Sequence, residues 1–560
     1  TTLLSAATFS HGPRSVTGLD WYNAPDPRPD YYRYLPSYYA ANNPDWAAAA
    51  YDALKNNVNK RQINWDALYN ANYAASDVVY NANGIPGNNV TGRRSRYILE
   101  ERVINTTRYN FNTTMNTTLG KNIDFTAGLT YQSQQNNYFK RVNDLLGGEF
   151  YVDINQFAER DFGYDPNVSQ NDINRPNRIL GVGDKFGYDY DIRIKKASAW
   201  VQGVFRFRKI DFFLAAEHSY TRFWRYGRVK SGVFPNNSFG NSPFHDFYNY
   251  ATKGGITYKI NGRNYLFANG AYQTRAPFFE NAFLAPRTRD FVQDNLVSEK
   301  ILSGEGGYVM NAPRVKIRAT GYYTKFMNQL NVLTFYDDSY RNFVNYAVSN
   351  IGKIHTGAEL GVEAKVYKGL SLVAAAAYGN YYFNTRQNVV VTADNSSQVL
   401  GRNTVFSNNF RVATPQQAYT FGFDYRSPRF WFIDMNINYF NGMWLDFNPV
   451  RRTAAAVEGL DPNSDLFHSV VDQTKLQSQY TVDLFAGYSW RMNNKFRSLK
   501  KTTYLVFNVG INNLLNNQDI VSGGFEQLRF DFQFRNVNKF PARRFYSYGL
   551  NYFASIGYRF

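Results

Sequence analysis

The 560-residue chain contains no cysteine, which excludes disulfide frameworks, thiolate metal sites and cysteine nucleophiles and leaves the redox compartment unmarked. Histidine is nearly as scarce: His11, His218, His245, His355 and His468 lie far apart with no ligand spacing, so neither a metal site nor another cofactor is expected. No run of about 18 apolar residues occurs, which excludes a transmembrane helix. The start, Thr1-Thr-Leu-Leu-Ser5, lacks a basic n-region and an apolar core, so it reads as processed or as the interior of a longer polypeptide. Catalytic signatures are missing as well. There is no Gly-x-Ser-x-Gly elbow and no His-Glu-x-x-His pair, and Gly181-Val-Gly183 lacks phosphate-loop context, so an enzyme is not expected. Acidic residues are in deficit, 44 against 62 Lys and Arg, for a net charge of +18. The basic residues are scattered rather than gathered in a stripe, which argues against nucleic acid.

Aromatics are abundant: 45 Tyr and 46 Phe bring their share to 18% with Trp. Such richness suits interfacial girdles and a carbohydrate- or peptide-sized binding surface. From about residue 102 onward, long stretches alternate with period two. Ile123, Phe125, Ala127, Leu129 and Tyr131 share one face, against Asp124, Thr126, Gly128, Thr130 and Gln132 on the other. The same split recurs around Asp434 and Asp483, and charge at mid-strand fits a wet lumen better than a dry core. A mean hydropathy of −0.49 is compatible with a membrane barrel, because alternation hides the lipid face from an average. Tight turns at 119–122, 208–209, 261–262, 311–314, 367–370 and 426–429 alternate with long polar loops, among them 139–193, 331–355 and 515–545.

The expected fold is therefore all-β: a transmembrane antiparallel β-barrel with about sixteen strands in this chain, both of its ends on the short-turn side. Residues 1–10 read as a barrel strand, and 11–101 as a long extracellular loop rich in proline and aromatics. Short helices are expected in it at Asn43-Pro44-Asp45 and Asn64-Trp65-Asp66, with asparagine caps. Residues 102–560 supply the remaining strands. Tyr131, Tyr439, Trp490 and Tyr558, near strand ends, read as interfacial girdle. On the last strand Tyr552, Ala554, Ile556, Tyr558 and Phe560 share an apolar face. This ending resembles the C-terminal signal of outer-membrane barrels, with Tyr552, Ile556, Tyr558 and Phe560 as the assembly signal.

Four further stretches, in order, resemble TonB-dependent outer-membrane receptors: Tyr265–Pro277, ending Arg-Ala-Pro; Asn295–Lys300 with Glu305-Gly-Gly-Tyr308; Asn350-Ile-Gly-Lys with Gly357–Leu360; and Gly510–Asn517. The match departs from the family at Ser298, where proline is usual. It covers about residue 95 onward, and the aromatic, proline-rich first loop is similar to the large receptors of Bacteroidota-type bacteria. The resemblance implies a 22-stranded barrel filled by an N-terminal plug, with a TonB box coupling uptake to the proton-motive force. Neither plug nor TonB box is visible in this sequence. Counted back from the last strand, the first strand here would be the seventh, and residues 11–101 the fourth extracellular loop.

The function so implied is uptake of a bulky or scarce solute across the outer membrane by a multi-pass receptor, with the ligand captured by extracellular loops. The implied partners are TonB, through a plug outside this chain, lipid and lipopolysaccharide, the barrel assembly machinery and a surface lipoprotein. Candidate ligand-binding residues are Trp21, Tyr22, Tyr31, Tyr32 and Arg33 of the first loop, able to stack on a sugar or peptide and pair with an anion, together with Arg275 at its strand's outer end. Packing of the loop against its neighbours is the competing role for each aromatic. Two other functions fit the same pattern: a passive sixteen-stranded porin, and a structural or partner-binding barrel within a larger outer-membrane complex.

Overall fold

Alternating side chains give a strand two faces, and in the computed structural model these faces join from strand to strand into one wall. Residues 1–294, 296–337 and 340–560 are described; Asn295 of the Asn295–Lys300 motif, and Asp338 and Ser339 of the expected 331–355 loop, lie outside them. Sixteen long strands form an antiparallel meander. They are β1 (Thr2–Trp21), β2 (Tyr97–Leu119), β3 (Ile123–Asp144), β4 (Lys185–Arg206), β5 (Ile210–Gly227), β6 (His245–Lys259), β7 (Asn264–Arg275) and β8 (Glu299–Asn311). They continue as β9 (Val315–Asp337), β10 (Asn342–Tyr367), β11 (Leu370–Phe383), β12 (Gln417–Arg426), β13 (Trp431–Asn441), β14 (Gln479–Arg491), β15 (Tyr504–Asn512) and β16 (Asn551–Arg559). With three short appended strands they make one 19-stranded sheet.

The register carries the apolar face across this wall. From Tyr552 it steps to Ile511, Leu484, Met435, Phe423, Leu372, Ala364 and Val315. At the other end it steps from Ala7 to Phe111, Tyr131, Ala197, Tyr220 and Tyr248. None of these side chains is buried, and on the last strand Tyr552 is 75% and Ile556 71% exposed, as a lipid-facing surface requires. The opposite face is laddered with polar contacts: Asn438 Nδ2 donates to Asp483 at 2.8 Å, Thr420 donates to Asn438 at 2.8 Å, and Asp124 pairs with Arg206. The fold is the transmembrane barrel wall that the alternation predicts. Its short turns, at 120–122, 207–209, 260–263, 312–314, 368–369 and 427–430, fall on one rim. In the tightest of them Gly369 has φ +77°, and a Cβ there would meet Arg426 O at 2.3 Å.

Two boundaries differ from the sequence reading. The first strand does not end near residue 10 but runs to Trp21, in unbroken register with β2 from Thr2↔Asn116 to Trp21↔Tyr97, so the first long loop is 22–96. Pro13 does not interrupt it: the register runs through Gly12↔Thr106, Pro13↔Asn105 and Arg14↔Ile104. The expected loop 331–355 is a continuation of β9 and β10, paired from Asn331↔Val348 to Asp337↔Asn342 beyond a bulge at residues 326–331. Asn328 in that bulge has φ +61°, a conformation that asparagine tolerates better than most residues. Among the described residues β16 pairs only with β15, and β1 only with β2, so the two end strands do not close on each other.

Candidate functional site

A membrane-spanning strand needs about 9–11 residues, whereas β2, β3, β9 and β10 have 22 to 26. The surplus lies opposite the short turns, where the long loops stand on it. In the first loop, α1 (Pro44–Asn56) and α2 (Trp65–Tyr73) begin where the sequence places them: Asn43 Oδ1 accepts from Trp46 N and Asn64 Oδ1 from Ala67 N, both at 3.1 Å. At the end of α2, Asn72 is fully buried. Its amide donates to the carbonyls of Tyr97, Leu145 and Leu146 at 2.8, 3.0 and 3.0 Å, and its Oδ1 accepts from Arg96 N and Tyr97 N at 2.7 and 3.0 Å. One side chain thus fastens the first loop to the tops of β2 and β3.

The first loop also reaches the last, residues 513–550, although the strands they follow and precede do not pair. The Arg529 guanidinium lies 4.1 Å over the Tyr32 ring, the Phe540 ring is 5.7 Å from Tyr32, and Arg543 pairs with Asp30 at 3.3 Å. Behind this contact Glu526 takes the fully buried Arg452 and, at 3.3 Å, Arg451, while accepting from Asn448 N at 2.9 Å. Burial and the neighbouring Arg452 pull the Arg451 guanidinium down to about 10, with Glu526 opposing.

Under these loops lies a cavity of about 1920 Å³. Among the described residues that line it are twelve aromatics, nine Arg or Lys and six Asp or Glu. A solute entering it therefore meets ring faces and an excess of positive charge. The structure places Trp21, Tyr31, Arg33 and Arg275 on its wall. Trp21 closes β1, with the Arg28 guanidinium 5.3 Å over its ring. Arg275, at the outer end of β7, pairs with Glu299 at 2.7 Å. Tyr22 and Tyr32 are buried behind the wall. Tyr22 donates to Glu159 at 2.6 Å beneath the Arg94 guanidinium, 3.7 Å from the ring. Burial, reinforced by that carboxylate, pushes the Tyr22 hydroxyl up to about 12.

Several lining groups carry no sequence signal. Lys353 reaches the cavity beside the Phe383 ring, 5.4 Å away, and among the described residues has no ion-pair partner. Asp446 also lines it, its carboxyl raised by burial with Lys353 opposing. Arg529 presents a buried Nε without a hydrogen bond among the described residues. Each is an ordinary polar residue in a polar loop or strand top, and only long-range packing brings them together.

No family model and no curated protein matches the chain. Solved structures are similar to the chain. The copper transporter OprC is 11% identical with a TM-score of 0.52, over 82% of this chain and 57% of that one. The siderophore receptor PiuA from Acinetobacter baumannii is 13% identical with a TM-score of 0.49, over 83% and 57%. The chain therefore spans less than two thirds of the length of these structures, and its fold is that of the OprC barrel.

Proposed function

We propose that this chain is the wall and ligand-capturing mouth of a TonB-dependent outer-membrane receptor that takes up a bulky or scarce solute. The observation that carries the reading is the cavity of about 1920 Å³ built above the membrane-length part of the strands, with aromatic and cationic walls. A ligand would be captured there by stacking on Trp21 and Tyr31 and by pairing with Arg33 and Arg275, while Tyr22 and Tyr32 hold the loop that presents them. A plug outside these residues would block the lumen, and TonB would act on that plug. Lipid and lipopolysaccharide would contact the apolar face, the assembly machinery would recognise Tyr552, Ile556, Tyr558 and Phe560, and a surface lipoprotein would cover the mouth.

The passive porin is the weaker reading, because such a pore closes its first strand on its last, and β1 and β16 do not pair among the described residues. The test is solute accumulation in cells carrying or lacking the gene, with and without a protonophore. Accumulation that depends on the gene and stops with the protonophore is expected. Steady conductance of the purified chain in a planar bilayer, with accumulation indifferent to the protonophore, would refute the proposal.

A further inference from the structure

A strand that shows a cavity one of its faces contributes every second residue. Asn328 to Tyr336 contribute nine in succession to the cavity wall, so this part of β9 meets the cavity along its backbone edge. The other edge is occupied, because Asn331 to Asp337 pair with Val348 to Asn342 of β10. Pairing between β8 and β9 ends at Lys300↔Met327, and among the described residues no strand takes over beyond it. The Gln293 amide marks which groups point outward: its Nε2 donates to Asn331 O at 3.2 Å from the unpaired side. In a strand the N–H and C=O of one residue point the same way, and successive residues alternate. Those of Leu333 and Phe335 therefore face the cavity, and those of Val332 and Thr334 face β10. The edge is held in place by packing, with Phe335 buried among Val344, Tyr346, Val348 and Val389 and Leu333 against the same cluster.

Beyond the Asn331 carbonyl, which Gln293 occupies, the outward N–H and C=O groups of Leu333 and Phe335 have no hydrogen bond among the described residues, and an anchored edge of this kind is a template for one more strand. Linear glycans and metal chelates do not repeat an N–H and a C=O at the spacing of a β-ladder; an extended peptide does. The five residues Asn331–Phe335 would align with about 16 Å of such a chain. Positive charge on the same wall adds a second requirement, since Lys353 lacks an ion-pair partner and Arg529 has a buried Nε without a hydrogen bond, both among the described residues. We infer that the captured solute is an extended, carboxylate-bearing peptide that adds as a strand to the Asn331–Phe335 edge, with Lys353 and Arg529 meeting its carboxylates. This rests on the uptake reading above and names the solute class for the same cavity.

The test uses the full chain purified in detergent and a tryptic digest of casein, with retained peptides identified by mass spectrometry. One retained peptide is then titrated calorimetrically, alongside the same peptide N-methylated at alternate backbone nitrogens; maltoheptaose and a ferric hydroxamate are titrated in parallel. Retention of acidic peptides is expected, with at least tenfold weaker binding after N-methylation. Leu333→Pro removes an outward donor and no ladder bond, so it is expected to keep the heat-modifiable band shift of the folded barrel and to weaken binding at least tenfold. Lys353→Gln is expected to weaken acidic peptides and leave their amidated forms unchanged. If Leu333→Pro fails to fold, the N-methylated peptide still decides. Binding insensitive to N-methylation would overturn the inference. Retention of the glycan or chelate but no peptide would overturn it and leave the uptake proposal standing, and retention of nothing would count against both.

Discussion

Asn72→Ala should release the first loop from the barrel without unfolding the strands. The substitution removes an amide that donates to three carbonyls and accepts from two backbone N–H groups, all within 3.0 Å and at a side chain with no exposed surface. The carbonyls keep a second lone pair, so the main loss is the pair of orphaned donors at Arg96 and Tyr97. Each buried N–H left unpaired costs about 1–3 kcal/mol, and partial rearrangement trims the sum to about 3–4 kcal/mol. At about 1.4 kcal/mol per tenfold, local opening becomes roughly 10²- to 10³-fold more frequent. Hydrogen exchange read by mass spectrometry on the detergent-solubilised protein measures this directly. Peptides covering residues 64–73, 96–99 and 144–147 should lose protection by that factor, while those from β12 to β15 keep theirs. Asn72→Asp separates hydrogen bonding from size: it is isosteric and keeps the acceptor, yet turns a carboxylate toward three carbonyls, so it should open the loop at least as much. A loss under tenfold at these sites, or an equal loss over the barrel strands, would refute the assignment of Asn72 as the fastening.

The remaining predictions concern the other loops and the closing strand. Glu526→Gln leaves the buried Arg452 without its charge partner, a loss of about 3–5 kcal/mol, so tryptic cleavage at Arg451 and Arg452 should speed up at least tenfold; unchanged cleavage would sink the idea. The Tyr22 hydroxyl has a folded value of about 12 against 10 in the unfolded chain. Its contribution is full below pH 10 and is lost as pH rises toward 12, so protection of loop 22–96 should fall across that window, and Tyr22→Phe should flatten the fall. Equal pH profiles for the two proteins would contradict this. Deleting Phe560, 71% exposed on the apolar face, should lower the fraction inserted in the membrane, read by heat-modifiable gel mobility, while inserted protein keeps its Tm. Full insertion, or a Tm lowered to match, would argue against a recognition role.

What the sequence revealed and what it hid divides by the range of the interactions. Period-two alternation is a local signal, and it locates the apolar face from Ile123 to Phe560. The asparagine caps of α1 and α2 are equally local, since Asn43 and Asn64 act within three residues. β1 reads short in the sequence because a polar, proline-rich stretch follows residue 10, whereas its pairing partners up to Tyr97 lie 76 or more residues further along the chain. The tops of β9 and β10 read as loop in the sequence because Asn328 and Asn350, both at positive φ, mark a bulge that local sequence cannot separate from a turn. Tyrosine hides its role most fully. Tyr31 and Tyr32 are adjacent and chemically identical, yet one lines the cavity and the other is buried under Arg529. Asn72, Lys353 and Glu526 carry no pattern at all, because the partners of their side chains among the described residues lie 24 or more residues away.

The lengths of the strands bear on where selection of a solute takes place. About 10 residues of β10 suffice to cross the hydrocarbon layer from the short turn at 368–369, which leaves some 16 of its 26 outside, about 50 Å of extended chain. The bulge at residues 326–331 lies near the lower end of this surplus, and the unpaired edge begins immediately above it. The bulge shifts the register and marks where β9 passes from a strand paired on both sides to one paired on one side only. Wall and binding edge are thus two parts of one strand, separated by the residue Asn328 that takes the positive φ. Solute capture would then be complete above the membrane, and loop substitutions such as Asn72→Ala should change ligand retention while leaving the strands that cross the bilayer as protected as before.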